Sequence, residues 1–187
     1  MNGAPLYVVD TIGEVVKSVS DILYPAPAKG IFYQYGRSIQ ILTQLQLLNQ
    51  AITSEMKNSK YPLFAVFQDF PESHSTMWEL SVTFPKIVIA TLTQSTDPTP
   101  KRYAQTFKPI LYPIYDAFLP ALARHPNVVA ALGGKDFKHI KWDRPGTQPA
   151  ADSTMKSNFN DYIDAIELQN LEVVFKKVNS CTKFKTS

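Results

Sequence analysis

The feature that most constrains the fold is a proline-rich segment, "KPILYPIYDAFLPALARHP", which spans residues 108–126. Its apolar residues recur at helical spacing, yet it contains four prolines: Pro109, Pro113, Pro120 and Pro126. A proline inside a helix removes a backbone donor, clashes with the preceding turn and costs about 3 kcal/mol. Three interior prolines would cost more than the marginal stability of a typical domain allows. The sequence therefore predicts, across residues 99–124, two helices that meet near residues 107–108, the second bent or ended early at Pro120.

The second of these helices is expected to bury one apolar stripe, formed by Leu111, Tyr115, Phe118 and Leu122. Four further apolar residues fall off this stripe, where a monomer would leave them in water: Ile110, Tyr112, Ile114 and Leu119. A bent helix with apolar residues on more than one side indicates a partner that covers the second side. The alternative is a helix buried within the core of one subunit, and the pattern favours neither interpretation.

Composition bounds the class of protein. The chain has 187 residues, 21.0 kDa, 44% hydrophobic and 12% aromatic residues, which predicts one folded domain with a substantial core. The net charge of +3 is mild, whereas duplex-binding proteins concentrate many Lys and Arg residues on one face. Cys181 is the only cysteine, so no internal disulfide is expected. The N-terminus is a poor signal peptide and no apolar run reaches the roughly 18 residues of a membrane helix, so we expect a soluble intracellular product.

Periodicity predicts the elements of the first half of the chain. Residues 5–23 place aliphatic side chains at helical spacing and predict a helix with Pro5 in its first turn. Residues 31–36 predict a short aromatic strand. From Ser38, the expected N-cap, the pattern favours a helix, although a strand through residues 39–47 also fits the alternation. Residues 61–70 predict the next strand.

The second half is predicted to contain three strands and the helices described above. Residues 78–94 are rich in β-branched side chains and predict a buried strand, which Pro85 bends or splits in two. A helix is expected to start with Thr99 as N-cap and Pro100 at the first helical position. A strand is predicted at residues 137–143 and a final strand, or a bent strand pair, at residues 162–178, with a polar loop at residues 144–158 between them.

Together these elements predict an α/β (α+β) fold in a single domain over residues 1–187. We expect a mixed or antiparallel sheet of about four to five strands with two to four helices packed on it. The domain would begin with the N-terminal helix at about residues 5–23 and end in a flexible tail at about residues 179–187.

No residue pattern indicates an enzyme, a cofactor or a metal site. The histidines lie in unrelated segments without the spacing of zinc ligands and are expected at the surface or at helix ends: His74, His125 and His139. Asp161, Asp164 and Glu167 alternate faces in an extended strand, so they do not converge on one ion. The sequence "LGGKD" at residues 132–136 lacks the spacing of a phosphate-binding loop, and Cys181 has no organised partner that would activate its thiol.

The residue pattern leaves two other functions open. One is a small-molecule or peptide-binding α/β module with an aromatic pocket lined by Tyr33, Tyr35, Trp78 and Phe84. The other is a hydrolase that uses a polar loop, where a general-base cluster would consist of Asp69, Glu72 and His74. An exposed hairpin loop is the simpler interpretation of that second group.

Four segments, taken in order, carry a resemblance to known proteins. They are "FYQYGRSIQILTQL", "KYPLFAVFQDFPE", "KIVIATLTQSTDPTPKRYAQTFKPILYPIYDAFL" and "NDYIDAIELQNLEVVF". The most specific parts are "KYPL", "RYAQTFKPILYPIY" and "DYIDAIEL", and the similarity covers about residues 30–178. In this order the segments resemble a family of structural proteins from tailed bacteriophages and prophages, the tail-terminator, tail-completion and head–tail connector proteins.

The resemblance implies a non-enzymatic virion protein, made in the host cytoplasm, whose α/β domain closes into a homo-oligomeric ring, most often six-fold and alternatively twelve-fold. Such a ring lies at the head–tail junction or at the top of the tail, surrounds the DNA channel without specific DNA binding, and contacts other phage neck or tail proteins. The loops at residues 71–77 and 144–158 would reach adjacent rings. No cofactor and no membrane is implied. The expected framework or interface residues, for which plain core packing is the alternative, are Tyr61, Pro62, Arg102, Tyr103, Phe107, Ile110, Tyr112, Pro113, Tyr115 and Leu119.

Overall fold

The computed structural model describes residues 7–49, 59–74, 79–129, 137–147 and 161–176. The helical elements are α1 (Val8–Leu23), α2 (Ser38–Asn49), α3 (Thr99–Arg102), a π-helix (Tyr103–Leu111) and α4 (Tyr112–Arg124). The strands are β1 (Phe32–Gly36), β2 (Leu63–Phe67), β3 (Glu72–Ser73), β4 (Glu79–Leu92), β5 (Ile140–Thr147) and β6 (Ile163–Lys176). Predictions for Trp78, "LGGKD", residues 148–158 and the tail with Cys181 lie outside the described residues.

The six strands form one sheet in the order β1-β2-β4-β6-β5, with the two-residue strand β3 paired to β4. The β1–β2 pair is parallel, and every other pair is antiparallel. The long strands β4 and β6 form the centre, where 13 residue pairs from Glu79↔Lys176 to Leu92↔Ile163 keep one register. The predicted mixed α+β fold is confirmed, and the strand count exceeds the expected four to five because of β3.

The helices cover the two faces of the sheet unequally. On the first face, α1, the π-helix and α4 pack on strand residues that include Phe64, Val82, Ile89, Ile166 and Phe175. On the second face, α2 packs through Ile41 and Leu45 on residues of β2, β4 and β6. Because α2 contacts β1 as well, it lies toward the β1 edge of the sheet, at the opposite side from β5. None of the described helices is long and apolar enough to span a bilayer.

The N-terminal helix forms because its apolar residues lie on one side, but it begins at Val8, with Tyr7 as N-cap, instead of at residue 5. Pro5 lies outside the described residues. The buried aliphatic residues of the helix are Val8, Ile12, Val15, Val16 and Val19. The phenol of Tyr33 donates a hydrogen bond to the Val9 carbonyl at 2.8 Å, which ties this helix to β1. A Cβ at Gly13 would lie 3.1 Å from the Tyr33 ring, so the absence of a side chain there permits the close approach.

Helix α2 confirms the helical interpretation of the segment that follows Gly36, but its N-cap is Arg37. The Arg37 carbonyl accepts the amide of Ile41 at 3.1 Å, which places the predicted cap, Ser38, one residue inside the helix. Gln40 reaches back and accepts the Arg37 amide at 3.0 Å. This is the reciprocal half of a capping box, supplied by the third residue of the helix. A side chain inside the helix thus replaces the cap that Ser38 was expected to provide.

Strand β4 runs without interruption past Pro85, so the predicted split into two strands is wrong while the predicted bend is present. Opposite Pro85 lies Asn170, whose φ is 54°. Residues three apart on a regular strand point to opposite faces of the sheet. Here they point to the same core on both sides of the Pro85–Asn170 pair: Phe84 and Ile87 on β4, and Leu168 and Leu171 on β6. The two strands therefore bend together and keep their register, since asparagine tolerates the left-handed conformation.

Residues 99–124 form one continuous helical rod, which corrects the prediction of two helices. The backbone stays in the right-handed helical region at both junctions, Arg102–Tyr103 and Leu111–Tyr112. Pro109 lies inside the π-helix, where the wider turn makes room for a ring that would clash in an α-helix. Pro120 lies inside α4 without ending it. The helix begins at Thr99 with Pro98 as N-cap, one residue before the predicted cap.

Strand β5 begins and ends later than predicted. It starts at Ile140 instead of residue 137 and continues through Pro145 to Thr147, into the segment expected to be a loop. The pairing with β6 is irregular between Arg144 and Thr147, which lets Pro145 occupy a position without a ladder hydrogen bond. Strand β6 matches its prediction closely, from Ile163 to Lys176.

Candidate interaction surface

The rod is part of the subunit's own core, contrary to the expectation that it leaves apolar residues in water. Its five fully buried residues are Phe107, Leu111, Ile114, Phe118 and Leu122. The stripe includes Ile114 instead of Tyr115, since both positions fit α-helical spacing between Leu111 and Phe118 and the Tyr115 phenol contacts His139 at 2.9 Å. The remaining large apolar residues of the rod are half-buried and pack on this core: Tyr103, Ile110, Tyr112, Tyr115 and Leu119. Pro113 is also half-buried.

The three most specific segments of the resemblance meet at the start of β6. Lys60 and Tyr61, from "KYPL", both donate to the Asp161 carboxylate, the phenol of Tyr61 at 3.2 Å. Lys60 is almost completely buried. Pro62 follows Tyr61 through a cis peptide bond, and its carbonyl accepts the amide of Phe32 at the start of β1. The "DYIDAIEL" segment therefore connects to the entry of the parallel strand pair.

The second connection of β6 is a buried ion pair between Arg102 and Asp164, 3.2 Å apart. Arg102 also donates to the carbonyls of Asp97, Gln94 and Ser95, so its guanidinium closes the loop before the rod. Asp164 is fully buried and accepts two further hydrogen bonds, from the Thr106 hydroxyl at 2.5 Å and the Gly146 amide at 2.7 Å. These contacts attach the start of the rod to the central sheet, a framework role.

A cluster of polar aromatic residues lies where the rod crosses β5. The phenols of Tyr103 and Tyr112 donate to the Asp143 carboxylate at 3.4 Å and 2.7 Å, and the Lys141 ammonium donates to its other oxygen at 2.6 Å. Lys141 also lies 4.8 Å from the Tyr112 ring centroid and 5.4 Å from that of Tyr115. Since each polar group has a partner within the cluster, its geometry is that of a structural network.

The titration behaviour of this cluster argues against a catalytic phenolate. Burial, followed by the hydrogen bond to Asp143 and its charge, raises the pKa of Tyr112 far above its ordinary value. Burial favours the neutral form of Asp143, but hydrogen bonds from Lys141, Tyr112 and Tyr103 and the charge of Lys141 outweigh it, so the pKa of this carboxyl lies below its usual value. A tyrosine that acts as a nucleophile or base needs a lowered pKa, and this cluster shifts it in the other direction.

The depressed pKa of Asp143 gives a pH-dependent contribution to stability. Because the folded-state value is below the unfolded value of about 3.9, the contribution is present above that pH and is lost as the pH falls through the folded value. We expect Asp143→Asn to lower the free energy of unfolding by about 1 kcal/mol at pH 7. In urea unfolding curves the difference from the unsubstituted chain should shrink as the pH falls below about 3.9 and vanish below the folded-state pKa of Asp143. A difference that does not change between pH 7 and acid pH would contradict an ionic contribution.

The three histidines lie in separate parts of the described chain, and each has a different neighbour. His74 and Glu72 are exposed and 3.9 Å apart, and His125 caps the end of α4 and contacts Glu14 at 3.1 Å. Nε2 of His139 forms a hydrogen bond with the Tyr115 hydroxyl at 2.9 Å. The described residues contain no group of three or more side chains that could hold a metal ion. Asp161, Asp164 and Glu167 contact different partners, as expected from their spacing.

The aromatic pocket of the alternative interpretation is not assembled by its described members. Phe84 is fully buried and packs on Phe70 at 5.1 Å between ring centroids. Tyr33 lies under α1 and donates to its backbone. Tyr35 is partly exposed on β1, beside Phe70. These rings therefore fill the core and the β1 edge and do not surround a common cavity.

Large apolar side chains are exposed on several described elements, among them Ile22 on α1 and Leu92 on β4, and they occur in pairs on α2 and on β5. Ile39 and Leu47 of α2 are 51% and 62% exposed, and Ile140 and Trp142 of β5 are each 47% exposed. Sequence reasoning missed all four as interface residues. One signal was present, since residues 38–49 contain no charged side chain although half of the helix faces solvent. A surface helix normally carries charges on its outer side.

A shallow depression of about 270 Å³ lies on the outer side of α2. It is lined by Ile39, Gln40, Thr43, Gln44 and Leu47. We call this the α2 depression, and the exposed pair Ile140 and Trp142 the β5 patch. Comparison of the chain with models of protein families, with curated proteins and with solved structures finds no match to any of them.

Proposed function

We propose that this chain is a non-enzymatic structural subunit of a tailed-phage virion, a ring-forming tail terminator or connector at the head–tail junction or the top of the tail. The observation that carries the proposal is the placement of uncovered apolar surface at two opposite edges of one sheet. The α2 depression lies toward β1, and the β5 patch lies on the opposite edge strand. A subunit of a closed ring needs two such different surfaces, since each subunit contacts one neighbour on each side.

The rigid framework between these two surfaces supports the same role. Ion pairs and hydrogen bonds from Asp161 and Asp164 connect the rod, the sheet and the parallel strand pair. The residues expected as framework, such as Tyr61, Arg102 and Phe107, take part in this connection or in the core beside it. A fixed angle between two contact surfaces determines whether a ring closes, so such rigidity has a direct consequence for assembly.

The charge of the chain fits a channel through which DNA passes. A net charge of +3 on 187 residues gives each subunit little attraction for phosphate. Strong phosphate contacts would retard the genome during packaging and ejection. The six-fold ring, with twelve-fold as the alternative, and the contacts to other neck or tail proteins follow from the sequence resemblance and belong to this proposal.

The decisive experiment locates the chain in purified phage particles. We expect mass spectrometry to detect it as a minor virion protein and gold-labelled antibodies to bind at the joint between head and tail. Deletion of the gene should yield unjoined heads together with tails of irregular length, and a plasmid copy should restore normal particles. Absence of the chain from purified particles, with normal particles formed by the deletion strain, would overturn the proposal.

A further inference from the structure

We propose that Trp142 of one copy inserts into the α2 depression of a second copy, so that the β5 patch and α2 form the repeating contact between subunits. This inference rests on the proposed function and names the partner of the two surfaces identified there. The contact joins different surfaces of identical chains, and repeated contacts of this kind build a ring when the rotation closes.

The β5 patch has the properties of an anchor. Trp142 is a large ring that is half exposed, and the Arg144 guanidinium lies 5.1 Å from its centroid, a contact that orders the ring before binding. Ile140 extends the apolar area along the same face of β5, since both residues pair with β6 residues of that face, Gln169 and Glu167. Buried aromatic anchors of this kind carry most of the binding energy of protein interfaces.

The one poorly exposed charge beside the anchor is already paired within the subunit. Glu167 lies 3.6 Å from Lys86 and 3.8 Å from Arg144, and only 13% of its side chain is exposed. The Lys86 and Arg144 side chains are 43% and 41% exposed, so they can stay hydrated at the rim of a contact. An uncharged partner can therefore cover the patch without leaving a buried, uncompensated charge, which would be costly.

The α2 depression matches these requirements. Residues 38–49 carry no charge, and the depression has aliphatic walls from Ile39 and Leu47. It also contains the amide of Gln44, an acceptor that an inserted indole N–H can use. An uncharged helical surface with one apolar depression is thus complementary to a neutral patch with one aromatic projection.

The two surfaces face different directions within one subunit. Helix α2 contacts the edge strand β1 and buries Ile41 and Leu45 toward the sheet, so the depression lies on its outer side, while the patch lies on the other edge strand, β5. Each chain therefore offers one free anchor and one free depression. A second copy of the same chain is the partner that supplies both at once, which commits the inference to head-to-tail self-association.

Two surface variants of the full-length chain test the contact by analytical ultracentrifugation. Leu47→Lys places a charge in the depression, and Trp142→Glu removes the anchor. We expect the unsubstituted chain to form concentration-dependent oligomers and each variant alone to weaken association by more than about 30-fold. An equimolar mixture should form dimers and nothing larger, because one intact anchor then meets one intact depression. Ile22→Lys, at a 71% exposed position on α1, is the matched control and should associate normally.

A cross-linking measurement keeps the proposal testable if either variant folds poorly. In a Cys181→Ser background, Leu47→Cys combined with Ile140→Cys should give a ladder of covalent oligomers on mild oxidation, and each single cysteine should give none. Dimers from a single cysteine variant would indicate like-to-like pairing and overturn the proposal. No association of the unsubstituted chain at millimolar concentration, or a mixture that stays monomeric, would overturn it as well.

The outcomes separate this inference from the proposed function. If the chain is found at the head–tail joint but the mixture stays monomeric, the function stands and the contact is wrong. If the mixture dimerises but the chain is absent from particles, the contact stands and the virion role is wrong.

Discussion

Asp164→Ala is expected to lower the free energy of unfolding by about 3–5 kcal/mol at pH 7. The substitution leaves the buried Arg102 guanidinium without its carboxylate, 3.2 Å away, and removes one acceptor of the Thr106 hydroxyl and the acceptor of the Gly146 amide. A buried charge that loses its partner keeps its full desolvation cost. Urea unfolding monitored by circular dichroism measures the loss.

Asp21→Ala is the matched control for this prediction. Asp21 also forms an ion pair, with Lys17 at 2.6 Å, but the two side chains are 64% and 75% exposed. Exposed pairs of this kind contribute between zero and about 1 kcal/mol. A similar small loss for both substitutions would show that the Arg102–Asp164 pair is hydrated and does not fix the rod to the sheet.

The conformation of the rod could not be predicted from local rules. Helix propensity treats each proline as an interruption of an α-helix, and that treatment leads to two helices. The chain instead forms a π-helix around Pro109, stabilised by contacts that are distant in sequence, such as Thr106 with Asp164 across 58 residues. Tertiary contacts therefore select a backbone that the local sequence alone would not favour.

The candidate interface could not be predicted because neither the buried face of the rod nor the exposed face of β5 follows from the local sequence. On the rod, Ile114 and Tyr115 both fit α-helical spacing between Leu111 and Phe118, so periodicity alone could not select Ile114 as the buried residue. Trp142 could be assigned to the exposed face only once its pairing with Glu167 was known. By contrast, α1 and β6 were predictable. Helix α1 buries a single apolar face, and β6 is a central strand whose apolar residues are covered on both faces.

Phe118→Ala is expected to lower the free energy of unfolding by about 3–5 kcal/mol. Phe118 is fully buried in α4, and its ring centroid lies 4.8 Å from that of Phe64 on β2. Truncation removes this contact and leaves a cavity between rod and sheet that a close-packed core cannot fill. Urea unfolding measures the loss, and exposed Asp116→Ala in the same helix should stay within about 0.5 kcal/mol of the unsubstituted chain.

This substitution also tests which surface of the chain serves assembly. If the rod belongs to the core of its own subunit, Phe118→Ala should lower stability but leave the dissociation constant between folded subunits unchanged. Trp142→Glu should show the opposite, with stability retained and association lost. A Phe118→Ala chain of normal stability that no longer associates would place the rod at the subunit interface. The proline-rich segment would then form the contact between subunits, in place of α2 and β5.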